Sequence, residues 1–216
     1  MTQTPSVLRR IEEAFIIPVI RAPSESLAQR AAEAILQGGI GVVEITMTVP
    51  GALDVIAGLR ARLGDKVLLG AGTVCSARDA ERCIDAGAAF LVSPGWDAET
   101  LHFAQARGVV HVPGVLTPTE VMQASKGGAQ IVKVFPCSAV GGAKYLKALR
   151  GPFPEMRFMA TGGINLQTLD EYVKAGASAV GIGGELVDLT LLSAGNDAAI
   201  TARAAELVAA LAKSRG

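Results

Sequence analysis

The chain has 216 residues, half of them hydrophobic and 19% charged, which is enough apolar material for one sizeable core. Lys and Arg together number 20 and balance 20 Asp and Glu, so the composition argues against binding to nucleic acid or to an anionic membrane. No segment approaches the roughly 20 apolar residues of a membrane span, and the N-terminus does not resemble a secretion signal. We therefore expect a cytoplasmic protein with one domain over residues 1–216 and with no nucleic-acid or membrane partner.

The predicted elements begin with a short amphipathic helix over residues 4–14, in which Val7, Leu8 and Ile11 share one side. This helix could cap the bottom of the fold. Beyond it, short β-branched apolar runs alternate with longer, Ala-rich amphipathic stretches. Eight such runs predict strands: Phe15–Arg21, Val42–Met47, Val67–Thr73, Phe90–Gly95, Val109–Val115, Ile131–Pro136, Arg157–Gly163 and Ala179–Gly184.

This alternation of strands and helices indicates the fold class. Near-continuous apolar strands with helices between them are typical of a parallel sheet. Eight units at a spacing of roughly 20 to 27 residues predict an α/β fold, a single-domain (β/α)8 TIM barrel with a short N-terminal helix. A doubly wound open sheet is the alternative. Glycines that end helices through a left-handed conformation repeat with the same period. They are Gly39, Gly87, Gly108, Gly128 and Gly176.

Two predicted strands carry a charge in their interior. Side chains alternate along a strand, which directs Glu44, Thr46 and Lys133 into the barrel, near the strand ends where barrel enzymes build their sites. Burial lowers the pKa of an amine, so a larger fraction of the amine is neutral and can attack a carbonyl. We therefore expect Lys133 to form a Schiff base and Glu44 to carry protons, through a water molecule. A buried ion pair that only holds the barrel together is the structural alternative.

Other residues that could take part in binding or chemistry are glycines at strand ends and isolated histidines and cysteines. Paired glycines end the seventh and eighth strands and predict an anion site, although they could merely permit tight turns. They are Gly162, Gly163, Gly183 and Gly184. The histidines, His102 on an outer helix and His111 in the fifth strand, are predicted to be structural. The three cysteines lack disulfide or zinc spacing, and no ligand cluster occurs, so we expect reduced thiols, no metal and no cofactor.

Seven stretches, in order along the chain, resemble the 2-keto-3-deoxy-6-phosphogluconate / 4-hydroxy-2-oxoglutarate aldolase family. They span residues 42–46 (VVEIT), 70–74 (GAGTV), 92–95 (VSPG), 112–115 (VPGV), 132–136 (VKVFP), 147–153 (KALRGPF) and 160–164 (ATGGI). The ordered set covers nearly the whole chain.

The resemblance implies a class I aldolase that reversibly cleaves 2-keto-3-deoxy-6-phosphogluconate to pyruvate and glyceraldehyde 3-phosphate. The alternatives are the same chemistry on 2-keto-3-deoxy-6-phosphogalactonate or 4-hydroxy-2-oxoglutarate, and a non-catalytic sugar-phosphate-binding barrel. The resemblance also implies a homotrimer without metal, with Lys133 as the Schiff-base lysine and Glu44 as the acid and base. The further implied site residues are Thr73 and Thr161 for pyruvate, Pro94 and Phe135 for the pocket wall, and Gly162, Gly163 and Gly183 for phosphate.

Two departures from the family pattern affect the predicted substrate. Many members have an arginine for the substrate carboxylate where this chain has Thr48, and Arg21 at the end of the first strand could supply that charge. Arg21 and Thr48 are both predicted to bind the substrate. A rim ion pair is the alternative role for Arg21. In the loop after the eighth strand, Gly184 replaces a frequent serine and is followed by Glu185. A carboxylate that pointed inward there would oppose a phosphate.

Overall fold

Parallel strands alternate with helices along the part of the chain that the computed structural model describes, residues 4–216. The strands are β1 Ile16–Ile20, β2 Val42–Thr46, β3 Leu68–Gly72, β4 Phe90–Val92, β5 Val110–Val112, β6 Gly114–Val115, β7 Ile131–Val134, β8 Arg157–Thr161 and β9 Ala179–Ile182. The helices are α1 Thr4–Ala14, α2 Glu25–Gln37, α3 Ala52–Leu63, α4 Ala77–Asp85, α5 Ala98–Ala106, α6 Pro118–Lys126, α7 Gly142–Arg150, α8 Leu169–Lys174, α9 Leu189–Ser193 and α10 Asp197–Arg215.

The strands form a barrel, so the predicted (β/α)8 fold is confirmed and the open-sheet alternative is wrong. Strand order is β5-β4-β3-β2-β1-β9-β8-β7-β6, and every pair is parallel. The predicted fifth strand is divided at Pro113, which has no N–H group for a ladder. Its first half pairs with β4 and its second half with β7, so the chain itself completes the ring.

The helix α1 closes the N-terminal end of the barrel, as predicted. Val7, Leu8 and Ile11 are buried and pack into one apolar cluster with the inward side chains of the strands, among them Ile17 and Phe90. The lower part of the barrel is therefore filled with apolar side chains. Polar inward side chains are concentrated toward the opposite end, where the strands finish.

A second apolar layer lies between the strands and the surrounding helices. Val43, Ile45, Val132 and Val134 pack there, which confirms the predicted alternation around Glu44 and Lys133.

Several helices begin at a side chain that accepts a hydrogen bond from the backbone N–H three residues further on, and these capping residues are Ser24, Ser76, Asp97 and Thr117. The five predicted helix-ending glycines all have positive φ. In residues 4–216, no helix has the length and apolar character to cross a bilayer.

His111 lies on the outer side of β5 in a hydrogen-bonded network, which agrees with its predicted structural role. The Ser93 hydroxyl donates to the carbonyl of Val74 at 2.5 Å, and Ser93 Oγ lies 2.7 Å from His111 Nε2. A carbonyl cannot donate, so the hydroxyl proton of Ser93 is used and His111 Nε2–H is the donor. Burial lowers the pKa of His111 to about 4, so the ring is neutral near pH 7.

We predict that His111 makes stability fall as the solution becomes acidic. Between about pH 6.5 and 4 the unfolded ring binds a proton that the folded ring does not, so the free energy of unfolding falls with pH, by up to about 3 kcal/mol. His111→Gln keeps a donor toward Ser93 and does not titrate. Urea unfolding at pH 7 and pH 4.5 should show a smaller acid loss for this variant than for the wild type. The exposed His102→Gln is the control, and equal acid losses in all three proteins would contradict the prediction.

Candidate active site

A cavity of about 300 Å³ opens at the C-terminal ends of β1, β7, β8 and β9. Its lining residues are Val19, Arg21, Lys133, Phe135, Thr161, Gly162, Gly163, Ile164, Gly181, Gly183, Gly184 and Glu185. Eight of the twelve predicted site residues are therefore brought together in one cavity. The other four are not among its lining residues, and they are Glu44, Thr48, Thr73 and Pro94.

Lys133 projects from β7 into this cavity and is nearly inaccessible to solvent, with 2% of its surface exposed. Its Nζ lies 4.8 Å from the centroid of the Phe135 ring. Burial lowers the pKa of Lys133, the negative charge of Glu44 raises it, and the positive charge of Arg21 lowers it. The net effect is a pKa below that of an ordinary lysine, so a larger fraction of the amine is neutral and nucleophilic.

Glu44 is fully buried on β2, and its carboxylate lies over Gly72 of the neighbouring strand β3. A Cβ atom at position 72 would collide with this carboxylate, so the site requires glycine there. Burial raises the pKa of Glu44, while the charges of Lys133 and Arg21 oppose that rise. Among the described residues, neither carboxylate oxygen has a hydrogen-bond partner. Glu44 and Lys133 therefore interact through space and do not form a hydrogen-bonded ion pair, and the carboxylate remains free to exchange protons.

The two predicted threonines occupy different positions. Thr161 ends β8, lines the cavity and packs against Gly181, and its buried hydroxyl has no partner among the described residues. Thr73 follows β3 with φ of 59°, a conformation that threonine rarely adopts and that is often found at functional sites. Pro94 lies in the loop after β4, where its carbonyl packs closely against Gly114.

Arg21 lines the cavity from the end of β1, and its Nη1 donates to Thr48 Oγ1 at 3.4 Å. Within residues 4–216, none of the ion pairs involves Arg21, which argues against the rim ion pair. The guanidinium is thus available to an anion in the cavity. It lies next to the position where the family pattern often has its arginine.

The loops after β8 and β9 present backbone donors to the cavity. The N–H groups of Gly162, Gly163, Gly183 and Gly184 donate no hydrogen bond to any residue that the structure describes. Glu185 lines the same part of the cavity. The sequence marked Glu185 only as a departure from the family. Val19, Ile164 and Gly181 also line the cavity, and none of them was among the predicted site residues.

Residues 4–216 contain no group of three His, Cys, Asp or Glu side chains placed to hold a metal ion.

We predict that two substitutions shift the titration of Lys133 in opposite directions. Arg21→Met removes a positive charge and raises the pKa of Lys133, whereas Glu44→Gln removes a negative charge and lowers it. Labelling with an amine-reactive reagent across a range of pH, followed by peptide mapping, measures the titration. The midpoint should move to higher pH in the first variant and to lower pH in the second. The exposed Lys213 in the same digest controls for reagent behaviour, and shifts of the same sign would contradict the assignment.

Comparison with known proteins identifies the family of the chain. The family model of KDPG and KHG aldolase matches residues 7–203, where KDPG is 2-keto-3-deoxy-6-phosphogluconate and KHG is 4-hydroxy-2-oxoglutarate. The chain is 35% identical over 198 residues to the 2-dehydro-3-deoxy-phosphogluconate aldolase of Treponema pallidum, covering 91% of this chain and 93% of that protein. It is 36% identical over 194 residues to the KHG/KDPG aldolase of Escherichia coli K12, covering 89% and 90%.

A solved structure is similar over most of its length. The KDPG aldolase of Legionella pneumophila, with pyruvate captured as a covalent carbinolamine intermediate, superposes with a TM-score of 0.87 at 33% identity. The match covers 93% of this chain and 97% of the Legionella chain. The chain therefore belongs to the KDPG and KHG aldolase family, and it is an aldolase, a lyase built on a (β/α)8 barrel.

Proposed function

We propose that the chain is a class I aldolase that reversibly cleaves KDPG to pyruvate and glyceraldehyde 3-phosphate through a Schiff base on Lys133. One observation carries the proposal: a buried lysine whose pKa is lowered lines a cavity beside a buried carboxylate that has no hydrogen-bond partner among the described residues. The names of the relatives support the substrate. The carbinolamine in the Legionella relative supports the mechanism.

In the proposed cycle the neutral Nζ of Lys133 attacks the C2 carbonyl of the 2-keto acid and forms a carbinolamine. Glu44 donates a proton to the departing hydroxyl group, and water leaves as the iminium forms. The ionised Glu44 then takes the proton of the C4 hydroxyl, through a water molecule, as the C3–C4 bond breaks. The bonding electrons pass to the iminium nitrogen and give an enamine, while the aldehyde departs. Protonation at C3 and hydrolysis release pyruvate and restore the amine.

Glu44 must alternate between its protonated and ionised forms in this cycle. A carboxylate in water is almost fully ionised at neutral pH, so it is a poor proton donor. Burial raises the pKa of Glu44 toward the working pH, which favours both transfers. The iminium accepts the electrons of the broken bond, so the proposed chemistry requires neither a metal nor a cofactor.

The remaining residues bind the two ends of the substrate in this proposal. Arg21 pairs with the C1 carboxylate, and the hydroxyls of Thr73 and Thr161 contact the pyruvate half. Phe135 forms a wall of the cavity, and the free N–H groups of the glycine loops hold the phosphate. We also propose a homotrimer in the cytoplasm, as in the family that the chain resembles. Light scattering measures the mass of the assembly in solution.

We predict that borohydride reduction in the presence of pyruvate attaches a pyruvyl group to Lys133, detectable by peptide mass mapping. Lys133→Ala should fold but lose cleavage activity by at least about 10⁴-fold, because the nucleophile is absent. Glu44→Gln should fold and lose about 10²- to 10⁴-fold, the usual contribution of a general acid and base. Lys147→Ala, on the exposed side of α7, is the matched control. A folded wild type with no modified lysine would disprove the mechanism and leave a binding barrel.

A second candidate substrate is KHG, which Glu185 favours. KDPG carries a carboxylate and a phosphate, with about three negative charges at pH 7, whereas KHG carries two carboxylates. Apart from Lys133, Arg21 is the one cationic side chain among the described lining residues, and Glu185 adds a negative charge near the glycine loops. This balance suits the less charged substrate. The epimer 2-keto-3-deoxy-6-phosphogalactonate differs from KDPG at one hydroxyl group and carries the same charge.

We predict that Glu185→Gln raises kcat/KM for KDPG by about 3- to 10-fold, because one like-charge repulsion of about 1 kcal/mol is removed. The value for KHG should change less, and the gain should shrink as salt is added. Steady-state kinetics on both substrates at two ionic strengths measure the effect. The exposed Glu155→Gln serves as the matched control. Equal effects on both substrates would show that Glu185 does not sense the phosphate.

A further inference from the structure

Arg21 belongs to a chain of hydrogen bonds that crosses from β1 to β2 and returns. Its Nη1 donates to Thr48 Oγ1 at 3.4 Å, and the hydroxyl oxygens of Thr48 and Thr46 lie 2.7 Å apart. Thr46 Oγ1 in turn donates to the carbonyl of Ile20 at 3.0 Å. Ile20 directly precedes Arg21, so the series of hydrogen bonds that starts at Arg21 ends on the neighbouring residue in the sequence.

The direction of every bond in this chain follows from its two ends. A guanidinium can only donate, and a carbonyl oxygen can only accept. The proton of Thr46 is used on Ile20, so the bond between the two threonines must be donated by Thr48. Thr48 then has no proton left and can only accept from Arg21. Each hydroxyl group therefore donates once and accepts once.

The direction of these hydrogen bonds limits the contacts that the Thr48 hydroxyl can make with a substrate. Its proton points toward Thr46, so it cannot donate to a substrate carboxylate without breaking the chain. It is also not part of the cavity lining, whereas Arg21 is. Thr46 is fully buried, which fixes the far end of the chain inside the barrel. An effect of Thr48 on binding must therefore pass through the guanidinium.

Within the described part of the chain, the Arg21 side chain has few other polar contacts that would fix its position before an anion binds. Its side chain is exposed, and among the described residues no carboxylate pairs with it. A long, solvated side chain loses conformational freedom when it binds an anion, and that loss weakens binding. A hydrogen-bond partner that holds the guanidinium at the cavity before the anion arrives reduces the loss.

We propose that Thr48 is a positioning residue, which with Thr46 holds the Arg21 guanidinium where it receives the C1 carboxylate of the 2-keto acid. This assignment rests on the proposed function and refines it. Thr48 does not replace the arginine that many relatives have at its position. It orients an arginine that the neighbouring strand supplies.

The test is borohydride trapping of the wild type and variants over a range of pyruvate concentrations, which separates the maximal trapping rate from the half-saturating concentration. Thr48→Val removes the hydroxyl at constant shape, and it should raise the half-saturating pyruvate concentration by about 3- to 10-fold, the effect of one lost hydrogen bond. The maximal rate should change little. Thr48→Ser keeps the hydroxyl and should restore wild-type binding. Thr48→Ala provides a second variant without the hydroxyl group should the valine variant not fold.

Two further measurements separate positioning from a structural role. Trapping with hydroxyacetone, a ketone without a carboxylate, should show no effect of Thr48→Val. Arg21→Met should weaken pyruvate binding by about 10- to 100-fold, and adding Thr48→Val to it should weaken binding no further.

Independent, multiplying effects in the double variant, or an unchanged half-saturating concentration in Thr48→Val, would overturn this proposal alone. A wild type that forms no pyruvate adduct would overturn the proposed function and this proposal with it.

Discussion

The site depends on two ionisable groups of opposite charge type, an amine and a carboxyl group, that are buried in one barrel and form no contact ion pair. Lys133 and Glu44 each lose hydration, and each alters the pKa of the other, but neither carboxylate oxygen is hydrogen-bonded. A contact ion pair would stabilise both charged forms and would make the amine a poor nucleophile. Separation leaves burial as the dominant influence on both groups, so the lysine tends toward its neutral form and the glutamate toward its protonated form.

The rest of the barrel preserves that arrangement. The helix α1 and the apolar side chains of the lower strands fill one end, so polar groups are concentrated at the other. Gly72 leaves room for the Glu44 carboxylate, and Gly181 leaves room for the Thr161 side chain. Small residues in adjacent strands are thus part of the site, although they carry no chemistry of their own.

Most of the fold and the centre of the site could be predicted from the sequence. The eight apolar runs and the helix-ending glycines define the barrel, and alternation along two strands is sufficient to direct Glu44 and Lys133 inward. The interruption at Pro113 was visible in the sequence, but its effect on the ladder depends on which neighbours the two halves find. The bond between Arg21 and Thr48 and the position of Glu185 in the cavity depend on loop geometry. Strand periodicity carries no information about either.

The division of the fifth strand at Pro113 separates the strands into two arcs, β1–β5 and β6–β9, which pair with each other through β1 and β9. Glu44 belongs to the first arc and Lys133 to the second. Neither arc alone contains both groups. The two sides of the site are therefore brought together only when the strands of both arcs are paired in the closed barrel.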